Sequence, residues 1–110
     1  MTVQNLIDDF SLEVLCCGDK AAEKEVRGGY CGDLLSWVMG RLREGDAWVT
    51  IMSNVNVVAV ATLADPSCII LSEGVDPEDG VIDRAVAQGV NMLRSGKASF
   101  DVCSDIKAAL

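Results

Sequence analysis

Apolar positions along this chain recur with two periods, and their succession predicts helices interleaved with short strands. Val3, Leu6, Ile7 and Phe10 repeat at helical spacing behind Thr2, a residue suited to cap a helix over Thr2 to Asp9. Leu12 to Cys16 alternates as a strand closed by Gly18-Asp19, and a charged loop, Lys20 to Lys24, leads to a second short strand around Glu25 to Arg27. Gly28-Gly29-Tyr30-Cys31-Gly32 reads as a flexible turn that lets strand and helix pack closely. Asp33 is the expected N-cap of a helix to about Leu42, with Leu34, Leu35, Val38, Met39 and Leu42 as its buried stripe and Gly45 as its stop.

The second half is more regular. Ala47 to Met52 is apolar at most positions, as a central strand would be. The valines of Val57 to Ala64 favour a strand, but the preceding asparagines, the length and the missing hairpin turn favour a buried helix, which is the reading adopted. Ser67 to Leu71 is a buried strand. Asp76, Pro77, Glu78 and Asp79 carry the features of a helix start, followed by Val81, Ile82, Ala85 and Val86 as an apolar face and Gly89 as a stop. Val90 to Leu93 is a last short strand, and Ser95 or Ser99 opens a terminal helix with Phe100, Cys103 and Ile106 on one side. Alternation of this kind predicts an α/β fold with a mainly parallel sheet of about five short strands, in one domain over residues 1–110.

Charge narrows the partners. The chain carries 17 acidic and 9 basic residues, a net charge of −8, and its cations form no run, so nucleic acid and anionic membranes are not expected partners. Met1 to Phe10 lacks the regions of a secretory signal, and the apolar runs Val57–Ala61 and Cys68–Leu71 are far shorter than the ~20 residues of a membrane-spanning helix. Five cysteines without a secretory address fit a reducing, cytoplasmic setting. Cys16, Cys68 and Cys103 stand in apolar stretches and read as core, as do Trp37 and Trp48. The vicinal pair Cys16-Cys17, with Cys31, leaves a metal or iron–sulfur site as an alternative.

Chemistry is notable for what is missing. With no histidine there is no Ser-His or Cys-His pair, and no Gly-x-x-x-x-Gly-Lys-Ser/Thr loop exists to cradle phosphates. Asp8-Asp9, Glu44/Asp46 and Glu78/Asp79 read as helix ends and solvated surface. No catalytic residue, cofactor or resident metal is therefore expected. In an open parallel sheet, ligands gather beyond the carboxyl ends of the strands. Three loops should reach that edge: Ser53-Asn54-Val55-Asn56, Ser72-Glu73-Gly74-Val75-Asp76 and Arg94-Ser95-Gly96-Lys97. Each precedes a helix and would offer free N–H groups. Ser53, Asn54, Asn56, Ser72, Glu73, Gly74, Ser95 and Lys97 are the candidate ligand-binding residues.

AWVTIM, SNVNVVAVATL, SCIILSEG, Pro77, the helix ending at Gly89, VNML and the SGKASFDV tail together resemble a DRTGG domain. Val26 to Tyr30 and Asp33-Leu34-Leu35 are similar to its stand-alone members. Such domains occur alone, in CBS-domain pyrophosphatases and in phosphotransacetylases, and are similar to the N-terminal domain of HPr kinase/phosphatase. The resemblance implies a three-layer α/β/α fold, a self-associating homodimer and a regulatory role without chemistry. Ser72-Glu73-Gly74 stands where the family signature has Thr-Gly-Gly, and SNVN has no Asp-Arg pair. Glu73 sets a carboxylate where an anion would approach, which shifts the expectation toward an adaptor that binds a protein partner. A sensor for a small anionic ligand, a nucleotide or phosphorylated metabolite, is the alternative.

Overall fold

The structure, a computed structural model, describes every residue except Cys17. Helix α1 (Val3–Phe10) begins as its sequence dictates: the Thr2 hydroxyl accepts from the Asn5 N–H at 3.2 Å, and the Asn5 side chain accepts from the Thr2 N–H at 2.9 Å. Such a reciprocal cap stabilises a helix by about 1 kcal/mol. Strand β1 (Glu13–Cys16) follows, then a single 3₁₀ turn at Gly18–Lys20, and β2 (Gly28–Cys31). Next come α2 (Leu35–Arg41), β3 (Asp46–Thr50), α3 (Asn56–Ala64) and β4 (Cys68–Leu71). The chain closes with α4 (Val81–Gln88), β5 (Met92–Arg94) and α5 (Ser99–Ala109).

The five strands form one sheet in the order β1-β5-β4-β3-β2. β2 through β5 run parallel, joined through α2, α3 and α4, while β1 lies antiparallel to β5 with an irregularity between Val14 and Cys16. β4 is central and wholly buried, and its four residues divide between the two faces. Ile69 and Leu71 join Trp48, Val57, Val58, Val81 and Met92 beneath α2, α3 and α4. Cys68 and Ile70 join Val3, Leu6, Val49, Leu93, Val102 and Ile106 beneath α1 and α5. Full burial of each such Ile or Leu contributes about 1.5–3 kcal/mol. The fold is a three-layer α/β/α arrangement with a mainly parallel sheet. Val57 to Ala64 is indeed helical, and its buried residues Val57, Val58, Val60 and Ala61 pack where α3 contacts α2 and α4.

Several local expectations fail for identifiable reasons. The second strand is not Glu25–Arg27, where Glu25 makes one isolated bridge to Thr2, but the glycine segment read as a turn. A Cβ on Gly28 would meet Asp46 Oδ1 at 2.9 Å, and one on Gly29 would meet the Ala47 carbonyl at 3.5 Å and Ile106 Cγ2 at 3.8 Å. The glycines serve close packing within a strand. Asp33 does not cap α2; its carboxylate accepts from the Thr50 hydroxyl at 2.8 Å and the Ile51 N–H at 2.9 Å, and Leu34 takes the cap position. Asp76 does not cap α4: it pairs with Arg94, Glu78 N–H donates to the Ser53 carbonyl at 2.9 Å, and the helix starts after Gly80, at φ 85°. Trp37 is not core. It is 57% exposed, with the Arg41 guanidinium 4.3 Å above its ring. Leu34, Met39 and Phe100 are exposed as well, because α2 and α5 each bury only a narrow stripe.

Candidate functional site

The loops after β4 and β5 meet over the start of α5. Gly74 N–H donates to the Ser95 carbonyl at 2.9 Å and Glu73 N–H to the Lys97 carbonyl at 2.8 Å. Glu73 (φ 59°) and Gly74 (φ 69°) are both left-handed, which turns the chain back toward Ser95. Ser72 is fully buried and its hydroxyl shares a 2.5 Å hydrogen bond with that of Ser99. Ser95 Oγ accepts from the Lys97 N–H at 3.1 Å. Ser72, Glu73, Gly74, Ser95 and Lys97 are thus brought together.

Ser53, Asn54 and Asn56 stand apart from that group. The Asn54 side chain accepts from the Asn56 N–H at 2.9 Å, a turn closed on itself. Among the described residues, no hydrogen bond links either asparagine to Ser72, Glu73 or Lys97. The Ser53 carbonyl connects instead to the segment before α4.

The loop cluster satisfies its own electrostatics. A helix N-terminus favours a negative charge, and here Glu73 supplies it, accepting from the Ser99 N–H at 2.8 Å. Arg94 pairs with Glu13 at 2.9 Å and with Asp76, and Lys97 pairs with Asp105 at 3.0 Å. The concavity bordered by Ser95 and Lys97 holds about 10 Å³, room for about one water.

A second region has the opposite character. Beside β2, the edge strand paired to β3 alone, lies a groove of about 1060 Å³. Its walls come from the end of α2, the turn into β3, and the last turns of α5. Arg27, Arg41, Arg43 and Lys107 line it against Glu44 and Asp46. Of the nine basic residues, Lys24, Arg94 and Lys97 form ion pairs; four of the remaining six line this groove, and none of those four has an ion-pair partner among the described residues. Asp46 is 8% exposed and is engaged by the Arg43 N–H at 2.8 Å. Nothing in the sequence marked this cluster, because residues 27, 41, 43 and 107 are gathered only by the crossing of α5 beneath β2 and β3.

The cysteines also divide. Cys68 is buried and its thiol is pushed up to about 12 by desolvation. Cys103, in the groove wall, is pushed up to about 11, by burial first and then by the neighbouring Cys31 thiol. Cys16 is buried and donates to the Val90 carbonyl at 3.3 Å, while its sequence neighbour Cys17 lies outside the described residues. Among the described residues, no three His, Cys, Asp or Glu side chains are grouped to hold a metal, and no helix is long and apolar enough to cross a membrane.

An α/β layered module with one self-neutralised loop cluster and one open basic groove is the class this geometry defines. The sequence matches the DRTGG domain over residues 5–109, and the chain belongs to that family. No curated protein matches it in sequence. Among solved structures it is similar to the regulatory region of a Clostridium perfringens pyrophosphatase, composed of CBS and DRTGG domains and complexed with its activator, diadenosine tetraphosphate. The TM-score is 0.68 at 14% identity, over 94% of this chain and 44% of that one. At that identity the likeness is one of fold, and the chain spans less than half of the neighbour's length.

Proposed function

We propose that this chain is a non-catalytic regulatory domain of a cytoplasmic protein that senses a small phosphorylated ligand, and that the ligand sits in the basic groove beside β2. The observation that carries the reading is the gathering, around one concavity of an acidic chain, of four cations that have no ion-pair partner among the described residues. Charge-assisted hydrogen bonds from Arg to phosphate are bidentate and among the stronger polar contacts. Family membership supports a regulatory role, and the activator bound to the pyrophosphatase regulatory region supports a nucleotide over the protein partner expected from Glu73. The Ser72–Gly74 cluster with Ser95 and Lys97 is the competing seat. An anion there would have to displace Glu73 from Ser99.

Thermal denaturation with diadenosine tetraphosphate, ATP, AMP, acetyl phosphate and pyrophosphate tests this. A ligand at a hundred times its dissociation constant adds ~2.7 kcal/mol, on the order of 10 °C for a domain of this size. Loss of the shift in R41A/R43A, and its retention in S72A, supports the groove. No shift with any of these ligands ends the sensor reading. A second reading, a homodimer or a protein partner docked on the same side, draws support from β2 being an edge strand, with exposed Leu34 capping the adjoining α2 and exposed Trp37 on it. Sedimentation showing a strict monomer would remove the homodimer.

A further inference from the structure

We propose that Cys31 and Cys103 form a reversible intramolecular disulfide, a modification site that staples the open edge strand β2 to α5 across the wall of the groove. The packing brings the pair together. Gly29 and Cys31 are two apart on β2 and face the same side, and a Cβ on Gly29 would lie 3.8 Å from Ile106 Cγ2. Ile106 is three residues from Cys103 on α5 and shares its face. Both cysteines line the same cavity, and the neighbouring Cys31 thiol adds to the burial that raises the Cys103 thiol. Cys31 is exposed to solvent and Cys103 only half-buried, so a small reagent reaches them. Cys68, by contrast, is fully buried.

The oxidant this site suits is an anionic low-molecular-weight disulfide such as oxidised glutathione, whose carboxylates the lining cations attract. The Cys31 thiolate attacks one sulfur of that disulfide, releasing one small thiol and leaving a mixed disulfide on Cys31. Cys103 gives its proton to solvent, and its sulfur displaces the second small thiol from Cys31. Two protein thiols and one small disulfide become one protein disulfide and two small thiols, and a reducing dithiol reverses the exchange. Disulfides in a reducing compartment are usually transient and redox-sensing, which fits an edge that is open when reduced. The inference does not depend on the ligand proposed above.

Intact-mass measurement and peptide mapping of the folded 110-residue chain, after incubation with oxidised glutathione, test it. The wild-type chain is expected to lose two hydrogens, yield a Cys31–Cys103 linked peptide, and regain its original mass with dithiothreitol. Cys103→Ser is expected to stop at the glutathione adduct on Cys31, and Cys31→Ser to form no intramolecular link through Cys103. The linked form should melt roughly 10–20 °C higher than the reduced form, because the bridge closes a long loop. Adducts that persist on both cysteines of the wild-type chain, or a linked peptide pairing other cysteines, would overturn the assignment.

Discussion

The loop cluster over α5 and the groove beside β2 are both lined by cations, yet they treat charge in opposite ways. In the cluster, Arg94 and Lys97 are matched to Glu13, Asp76 and Asp105, and the helix terminus to Glu73. Every favourable interaction there is spent within the fold, which ties β5 to β1 and the β4 loop to α5. In the groove, Arg27, Arg41, Arg43 and Lys107 are exposed and have no ion-pair partner among the described residues. Cations kept close together repel one another, and a bound polyanion relieves that repulsion where internal pairs do not. A region whose charges are matched internally is structural; a region whose charges are unmatched is where an outside ion gains most.

Substitutions should separate the two regions by what they change. The largest effect belongs to the groove: R41A/R43A is expected to weaken polyphosphate binding on the order of 100-fold, about 3 kcal/mol, while the unfolding free energy from urea denaturation stays within about 1 kcal/mol of wild type, the scale of the lost Arg41–Trp37 contact. A large stability loss in that variant would show that these arginines, too, serve the fold. A nearly comparable effect lies in the sheet between the regions. Burial pushes the Cys68 thiol up from its ordinary 9.0 to about 12, so it stays protonated in the folded chain through that range. Stability from this group is therefore complete below pH 9 and falls as pH rises toward 12, at about 1.4 kcal/mol per pH unit. Chemical denaturation at pH 8, 9, 10 and 11 should show that C68A lacks this component of the slope.

Smaller changes test the cluster. Glu73→Gln is expected to cost about 1 kcal/mol through the weakened cap on Ser99, and to leave polyphosphate affinity within about twofold of wild type. An E73Q variant that gains phosphate affinity tenfold would move the site to the loops. Lys97→Ala should be the mildest, under about 0.5 kcal/mol by urea denaturation, because its pair with Asp105 is largely solvated.

The pattern of apolar positions made the sheet and its layers legible wherever burial alone decides. Cys68–Leu71 is buried on both faces, and its short length and β-branched residues favoured a strand, while Val57–Ala64 needed enough apolar surface for two neighbouring helices. Thr2 and Asn5 closed a cap that local chemistry suffices to form. Legibility failed where a distant partner outbid a local one. Asp33 and Asp76 look like caps, but Thr50 and Arg94 claim their carboxylates. Gly28 and Gly29 look like a turn, and only the approach of Asp46 and α5 explains glycines inside a strand. The loop cluster was readable because the carboxyl ends of parallel strands follow from topology, and five of its eight candidate residues do assemble. The groove was not, since its four cations come from three separate stretches of chain.

Amide chemical-shift mapping during titration with diadenosine tetraphosphate addresses the division between the two regions most directly. The expected result is saturable perturbation of Gly28–Cys31, Arg41, Arg43 and Lys107, with Ser72–Gly74, Ser95 and Ser99 unmoved. Perturbation confined to the Ser72–Ser99 loops, or none anywhere at millimolar ligand, would contradict the assignment of the groove as the sensing site.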